Sequence, residues 1–431
     1  MHLASITSIT LIALLTQSAG ADVSITDASL AFSVQDEEEK NSTIADALMD
    51  GTIHFNNRLR FEYVDLDGTD TATALTNRLR LGYETATYEN LSAFIEMENV
   101  STPTESRYFV PATGQGDPSR APVADPEGTE VNQAYGRFAT DSLNDSGTSL
   151  DLKAGRQRII LDDSRFVGNV GWRQFEQTYD AVRIQSNLGT EKLQASYAYI
   201  WHVQRIFGPD GANWDSDSHL VNLSYDAAPE VKITPFAYLL DFRDESTANS
   251  VNTFGVRLNG RLIDEESDDA SISLDYEATY AHQQDGDSNG VDFDTQFIGG
   301  QIKLSQKDTG SVTAGYQLLG SDSGTFGFRF PFGTNHKFQG FADQFLITPP
   351  TGLQDLYVTG AVDLGDGLVP YATYHLFWSD TGSVDQGYEI DFGASKKLSA
   401  NWSVTLKAAI FDGHAGLADT TKFWVQTTFS F

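Results

Sequence analysis

The sequence predicts an all-β fold, a transmembrane antiparallel β-barrel of about 18 strands, and three observations carry that reading. The first is the stretch 421–431, TKFWVQTTFSF. Thr421, Phe423, Val425, Thr427, Phe429 and Phe431 share one parity, and Lys422, Trp424, Gln426, Thr428 and Ser430 the other. Period-two alternation of this kind marks a strand with one apolar and one polar face. On the edge of a soluble sheet the apolar row would invite pairing with another chain, whereas in a closed barrel it faces lipid. The second observation is repetition. Eighteen such segments fall near 52–64, 72–85, 89–99, 130–140, 149–159, 177–187, 191–203, 218–226, 231–241, 251–263, 271–282, 292–304, 310–318, 354–363, 368–378, 385–397, 401–411 and 421–431. The third is the spacing between them. Connections after even-numbered segments are mostly short, as at Ser186–Thr190 and Asp226–Glu230, while those after odd-numbered ones are longer, at 100–129, 160–176, 204–217 and 319–353. Outer-membrane barrels have this plan, with turns and both termini periplasmic and the long loops extracellular.

From the N-terminus, residues 1–21 read as a cleaved signal peptide. The apolar run Leu3–Leu15 is too short to span a bilayer as a helix, and it is followed by Ala19-Gly20-Ala21, a small-residue cleavage pattern. Residues 22–50 form a polar periplasmic lead with a solvated run, Asp36-Glu37-Glu38-Glu39, and a short helix over 42–49 that ends at Gly51. The barrel occupies 51–431, with long extracellular loops at 100–129, 160–176 and 319–353. Its polar faces carry carboxylates such as Asp275 and Glu277, opposite Leu274, Tyr276 and Ala278. Buried charge of that kind needs water, so the lumen is wet, and eighteen strands leave room for a channel. Export and a lipid-facing exterior place the chain in the cell outer membrane of a Gram-negative bacterium. Its surroundings there are outer-membrane lipid and lipopolysaccharide. Phe429 and Phe431 resemble the C-terminal signal read by the outer-membrane assembly machinery.

Composition narrows the chemistry. With no cysteine, the chain has no disulfide scaffold and no thiolate metal site. A net charge of −32 excludes nucleic acid as a default partner. Neither a cofactor nor a metal site is expected. Asp65-Leu66-Asp67-Gly68-Thr69-Asp70 lacks the spacing and closing Glu of a calcium loop, and the acidic runs at 264–269 and 285–294 read as solvated loops. The basic residues are unevenly placed, with 12 of the 17 arginines between Arg58 and Arg183. Asn57-Arg58-Leu59-Arg60 and Asn77-Arg78-Leu79-Arg80 repeat one motif on adjacent strands. They put four guanidiniums on the lumen side and Leu59, Phe61, Leu79 and Leu81 on the lipid side. A hairpin closing around Asp67-Gly68 is expected to set Arg60 opposite Arg78 and Arg58 opposite Arg80. Like charges facing each other call for an anion among them: either Glu62, Glu84, Glu96 and Glu98 of the wall, or an anionic solute in the pore.

Two long loops carry the most specific text. One block runs Gly155-Arg156-Gln157-Arg158, then Arg165, Trp172 and Arg173, then Tyr179-Asp180-Ala181-Val182-Arg183. The other is Asn335-His336-Lys337-Phe338-Gln339-Gly340-Phe341-Ala342-Asp343. Both resemble signatures of the alginate export family of outer-membrane barrels. The resemblance implies an eighteen-stranded barrel with an arginine-lined lumen through which a polyuronate such as alginate passes passively. It marks Arg156, Arg158, Arg165, Arg173 and Arg183 as passage residues beside Arg58, Arg60, Arg78 and Arg80. Guanidiniums pair with carboxylates and stay charged at any working pH. Gln157, Trp172, Asp180, His336, Lys337, Gly340 and Asp343 are the other motif residues. A general or small-solute porin on the same scaffold is the alternative. The eight histidines are scattered and His336 has no serine nucleophile at a recognisable spacing, so the chain is read as a channel and not an enzyme.

Overall fold

The structure is a computed structural model that describes residues 43–143, 147–209, 211–266 and 271–431. The signal peptide, the lead up to residue 42 with its acidic run, and residues 267–269 of one acidic loop lie outside the described residues. Eighteen strands form one closed antiparallel sheet. The first nine are β1 (Thr52–Leu66), β2 (Ala72–Glu84), β3 (Leu91–Ser101), β4 (Gly128–Thr140), β5 (Leu150–Gln157), β6 (Thr178–Ser186), β7 (Leu193–Gln204), β8 (Trp214–Ala228) and β9 (Val231–Leu240). The others are β10 (Val251–Glu266), β11 (Ser271–Asp285), β12 (Asp294–Gln306), β13 (Gly310–Leu319), β14 (Leu353–Val362), β15 (Tyr371–Trp378), β16 (Asp385–Ser399), β17 (Trp402–Gly413) and β18 (Thr420–Ser430). Each strand pairs with its sequence neighbour, and β18 closes on β1 from Asn56↔Ser430 to Leu66↔Thr420. A short helix, α1 (Ile44–Met49), precedes β1, and Thr43 caps it by accepting from the Asp46 amide.

The faces alternate as the sequence requires. On β1 Leu59 is 42% exposed and Arg60 not at all. On β18 Phe423, Val425 and Phe429 are exposed, while Lys422, Trp424 and Gln426 are buried inside. The outward row is the lipid-facing band, since apolar side chains gain nothing from water there and the backbone groups are all consumed in the closed ladder.

The three long loops do not stand clear of the sheet. They turn back into the barrel. Loop 102–127 buries Tyr108, Val110, Ala121 and Val123 against Val64, Ala72 and Ala74 of the inner wall. Loops 158–177 and 320–352 meet in the lumen, where Phe166, Phe328, Phe330, Phe332 and Phe341 pack with Phe236 and Phe297 of the strands. The physical reason is in their text. Loop 320–352 reads GFRFPFG at its centre, and fully burying each of those rings is worth about 1.5–3 kcal/mol. The fold therefore has an aromatic core inside the barrel, which period-two reasoning on the strands does not reveal.

Candidate solute passage

The β1–β2 hairpin is centred on Gly68, whose φ of 88° suits glycine alone. That sets the register, and it corrects the expected one: Arg58 faces Arg78, Arg80 faces Asn56 and Arg60 faces Thr76. The turn lies one position earlier than assumed, which moves every partner by two. All four arginines do point inward. Their anions come partly from the wall and partly from the inner loops. Arg80 Nε donates to Glu98 at 2.6 Å, and its Nη2 lies 3.3 Å from Glu176. Arg78 donates to Asn56 Oδ1 and sits 3.8 Å from Glu98. Arg60 reaches Asp125, donates to Gln426 and to the Trp172 carbonyl, and lies over the Trp172 ring at 4.1 Å. Arg58 Nη1 donates to the carbonyls of Gly171, Trp172 and Arg173 at 2.9, 3.2 and 3.2 Å. Glu84 takes no part; it pairs with His54 at 3.3 Å. The basic wall is thus a strut that pegs loop 158–177 in place.

The loop answers in kind. Arg158 bridges Glu96 and Glu176 at 3.2 and 2.6 Å. Burial would push the Glu176 carboxyl up, but Arg158 and Arg80 outweigh it and hold it down at about 2. Arg173 bonds Glu62 and Asp343 at 3.2 and 3.0 Å. The last contact joins the two inner loops, and a second joins them as well: Trp172 stacks on His336, centroids 5.1 Å apart. His336 Nδ1 is 2.6 Å from Asp343, its Nε2 is 2.9 Å from Lys407 Nζ, and Lys422 caps Asp343 at 2.7 Å. Burial and Lys407 lower His336 to about 4 against the pull of Asp343. The ring is therefore neutral, donating from Nδ1 to Asp343 and accepting from Lys407 at Nε2. Further along, Gly340 adopts φ 81°, and a Cβ there would meet the Glu389 carboxylate at 2.3 Å. This close approach lets Ala342 and Phe341 donate their amides to Glu389 and Asp391.

Not every motif residue faces the lumen. Arg156 pairs across the ladder with Ala134, which pairs with exposed Ile95 of the lipid-facing row. Arg156 and Asp180 therefore form their 2.7 Å ion pair on the outer face, and neither belongs to the passage. Gln157, on the inner face, donates to the Ala181 carbonyl. Arg183 is inside, 3.4 Å from Ser196.

Between the two inner loops and the wall of β9–β16 lies a cavity open to solvent. It is lined by Arg165, Arg257, Lys337, Asp163, Glu277 and Asp355, with Phe166, Phe297, Phe338 and Tyr357 among the rings. Most of its charges are matched. Arg257 holds Asp163 and Glu277 at 2.8 and 2.7 Å, and Lys337 donates to the Asp163 carbonyl. Arg165 differs. Its guanidinium lies over Phe330 and Phe338, 3.7 and 4.6 Å from their centroids, and its Nε and Nη2 are enclosed without a hydrogen bond among the described residues. Burial lowers it to about 9, so it stays charged at neutral pH. The partners of these loop residues carry no local signal in the sequence: Asp125, Glu176, Glu389, Asp391, Lys407 and Lys422 meet them only where the loops enter the lumen.

A family model described as alginate export matches residues 52–382. No curated protein matches the chain. Among solved structures, OccAB4 of Acinetobacter baumannii is similar at a TM-score of 0.65 and 13% identity, covering 88% of this chain and 98% of its own. OccK8 (OprE) of Pseudomonas aeruginosa gives 0.66 and 14%, covering 89% and 99%, and OpdO of the same organism 0.66 and 13%, covering 90% and 98%. At such identities the likeness is one of fold, the closed 18-strand barrel of outer-membrane porins. The match to three quarters of the sequence goes further, and the chain belongs to the alginate export family as an outer-membrane porin channel.

Proposed function

We propose that this porin passes small anionic saccharides of the uronate class, one or a few sugars long, through the cavity between its two inner loops. One observation carries the reading: Arg165, which lines a cavity walled by aromatic rings, keeps its Nε and Nη2 enclosed with no hydrogen-bond partner among the described residues. An unmet buried donor costs roughly 1–3 kcal/mol, more when charged, and a carboxylate is the group that relieves it best. The rings suit the apolar faces of a sugar. The two inner loops that meet in the lumen leave little room for a long chain, which favours short solutes. The arginine struts favour them too, because their charges are spent on the fold. This supports a small-solute porin over a conduit for a running alginate polymer. Turns and termini are taken as periplasmic, and a cleaved leader and Phe431-dependent assembly deliver the chain to the outer membrane.

The test is a bilayer recording with mannuronate oligomers on either side. Short oligomers are expected to interrupt the current, and Arg165→Gln to shorten those interruptions about tenfold, the equivalent of roughly 1.4 kcal/mol. Interruptions unchanged in the variant, or seen only with long polymer, would overturn the assignment.

A further inference from the structure

The helix α1 carries a feature that passage of solute does not use. Ile44, Leu48 and Met49 are 63%, 56% and 75% exposed. Only Ala47 of this helix is buried. On a helical wheel, at about 100° per residue, Ile44 and Leu48 lie one turn apart on the same side, and Met49 lies between them and Asp46. Asp46 and Asp50 project on the other. So short a helix has no stability of its own in water, and its position is fixed by the barrel. Tyr83 donates to the Leu48 carbonyl, the Gly51 amide donates to Tyr83 Oη at 3.2 Å, and the Ala86 amide donates to the Ala47 carbonyl at 3.0 Å.

Tyr83 shows where this places the helix. It pairs with Ile53 in the β1–β2 register. Ile53, Leu79 and Leu81 are exposed members of the lipid-facing row, and Tyr83 shares their parity. Gly82, of the opposite parity, faces inward, where an added Cβ would meet the ring of Phe94. The helix is therefore tied to the outside of the barrel wall, at the rim where β1 begins and β2 ends, and its apolar side continues the band formed by Ile53 and Leu81.

We propose that α1 is an interfacial anchor. It lies flat in the leaflet on the short-turn side of the barrel, with Ile44, Leu48 and Met49 at the boundary between headgroups and acyl chains and with Asp46 and Asp50 toward water. The partner is a phospholipid surface. Three observations together point to it: the apolar and acidic sides are segregated, the helix is bound to the outer wall through a tyrosine, and its apolar side is continuous with an interface already made with lipid. Amphipathic helices at such boundaries bury their apolar side about 5–10 Å deep, and a tyrosine with an apolar body and a polar tip is suited to the same level. The same contact would fix the height of the barrel in the membrane at its β1–β3 sector.

The absence of cysteine makes the test direct, because single-cysteine variants have no background. Leu48→Cys, Asp46→Cys and Ile53→Cys would each be made in the full-length protein, labelled with an environment-sensitive fluorophore, and reconstituted in phosphatidylcholine vesicles. Folding of each is checked by heat-modifiable migration. Quenching is then compared between a lipid carrying a nitroxide near its headgroup and aqueous iodide. The label at Leu48 is expected to respond to the lipid quencher about as strongly as the label at Ile53, and several-fold more than the label at Asp46. Quenching at Leu48 by iodide alone would overturn the proposal. Shielding from both quenchers would overturn it too: shielding that disappears on dilution in lipid identifies a second copy as the occupant, and shielding that persists identifies the preceding segment of the chain.

Discussion

At the scale of single residues, the arginines show what parity can and does not determine. The inward direction of Arg58, Arg60, Arg78 and Arg80 was legible in the sequence, because a guanidinium on the lipid side costs about 2–4 kcal/mol at midplane; that of Arg156, on the outer face, was not. Nor were the partners of the first four. Arg80 is held by Glu98, its direct partner on the next strand of an ordinary ladder, and by Glu176, which arrives on a loop folded back through the lumen. No local pattern specifies that second contact. The register was missed for a related reason, since a hairpin shifted by one position at Gly68 moves each cross-strand partner by two. The consequence is a prediction that separates strut from selectivity filter. Arg80→Gln leaves Glu98 and Glu176 buried beside each other, and breaking a buried pair in this way costs roughly 3–5 kcal/mol. The temperature at which the compact band is lost on semi-native gels should fall markedly, while the reversal potential in a salt gradient moves little. The opposite result, a large shift toward cations in a barrel of normal heat stability, would return Arg80 to the passage.

At the scale of elements, the two inner loops act as one body because three contacts join them or tie them to the wall: Trp172 on His336, Arg173 to Asp343, and Lys422 to Asp343. The sequence marked Trp172, Arg173, His336 and Asp343 as a motif without showing that they meet. The strands, by contrast, and the helix ending at Met49 were readable, since periodicity and caps are local. The latch has a definite pH dependence. His336 is held at about 4 in the folded loops, below its usual value near 6.5. A group whose folded pKa is lowered contributes fully above the unfolded value and loses that contribution as pH falls through the window between the two. The charges facing it are Asp343, which favours the proton, and Lys407 and Arg173, which oppose it. Acidification from about 6.5 toward 4 should therefore loosen the latch, seen as larger and noisier single-channel current. His336→Gln can donate to Asp343 without titrating, and its current should lose this acid response. An unchanged response in that variant would place the titration elsewhere.

At the scale of the whole molecule, closure leaves no backbone edge unpaired: every strand of the sheet has two neighbours. The final pair is β18 on β1. There Phe55 and Phe431 exchange both backbone hydrogen bonds, at 2.9 and 3.0 Å, and stack at 5.1 Å on the outer face. The closing contact at Phe431 and its proposed recognition by the assembly machinery can be pulled apart through its partner. Phe55→Ala removes the stack, worth about 0.5–1.5 kcal/mol, and leaves Phe431 in place. Phe431→Ala removes the stack and the recognition ring together. If Phe431 is read by the assembly machinery, Phe55→Ala should reach the outer membrane at near-normal levels with slightly lower heat stability, while Phe431→Ala should accumulate in the periplasm and be degraded. Fractionation of cells expressing each variant decides it. Equal and mild losses in both would mean that the residue matters only as half of the closing pair.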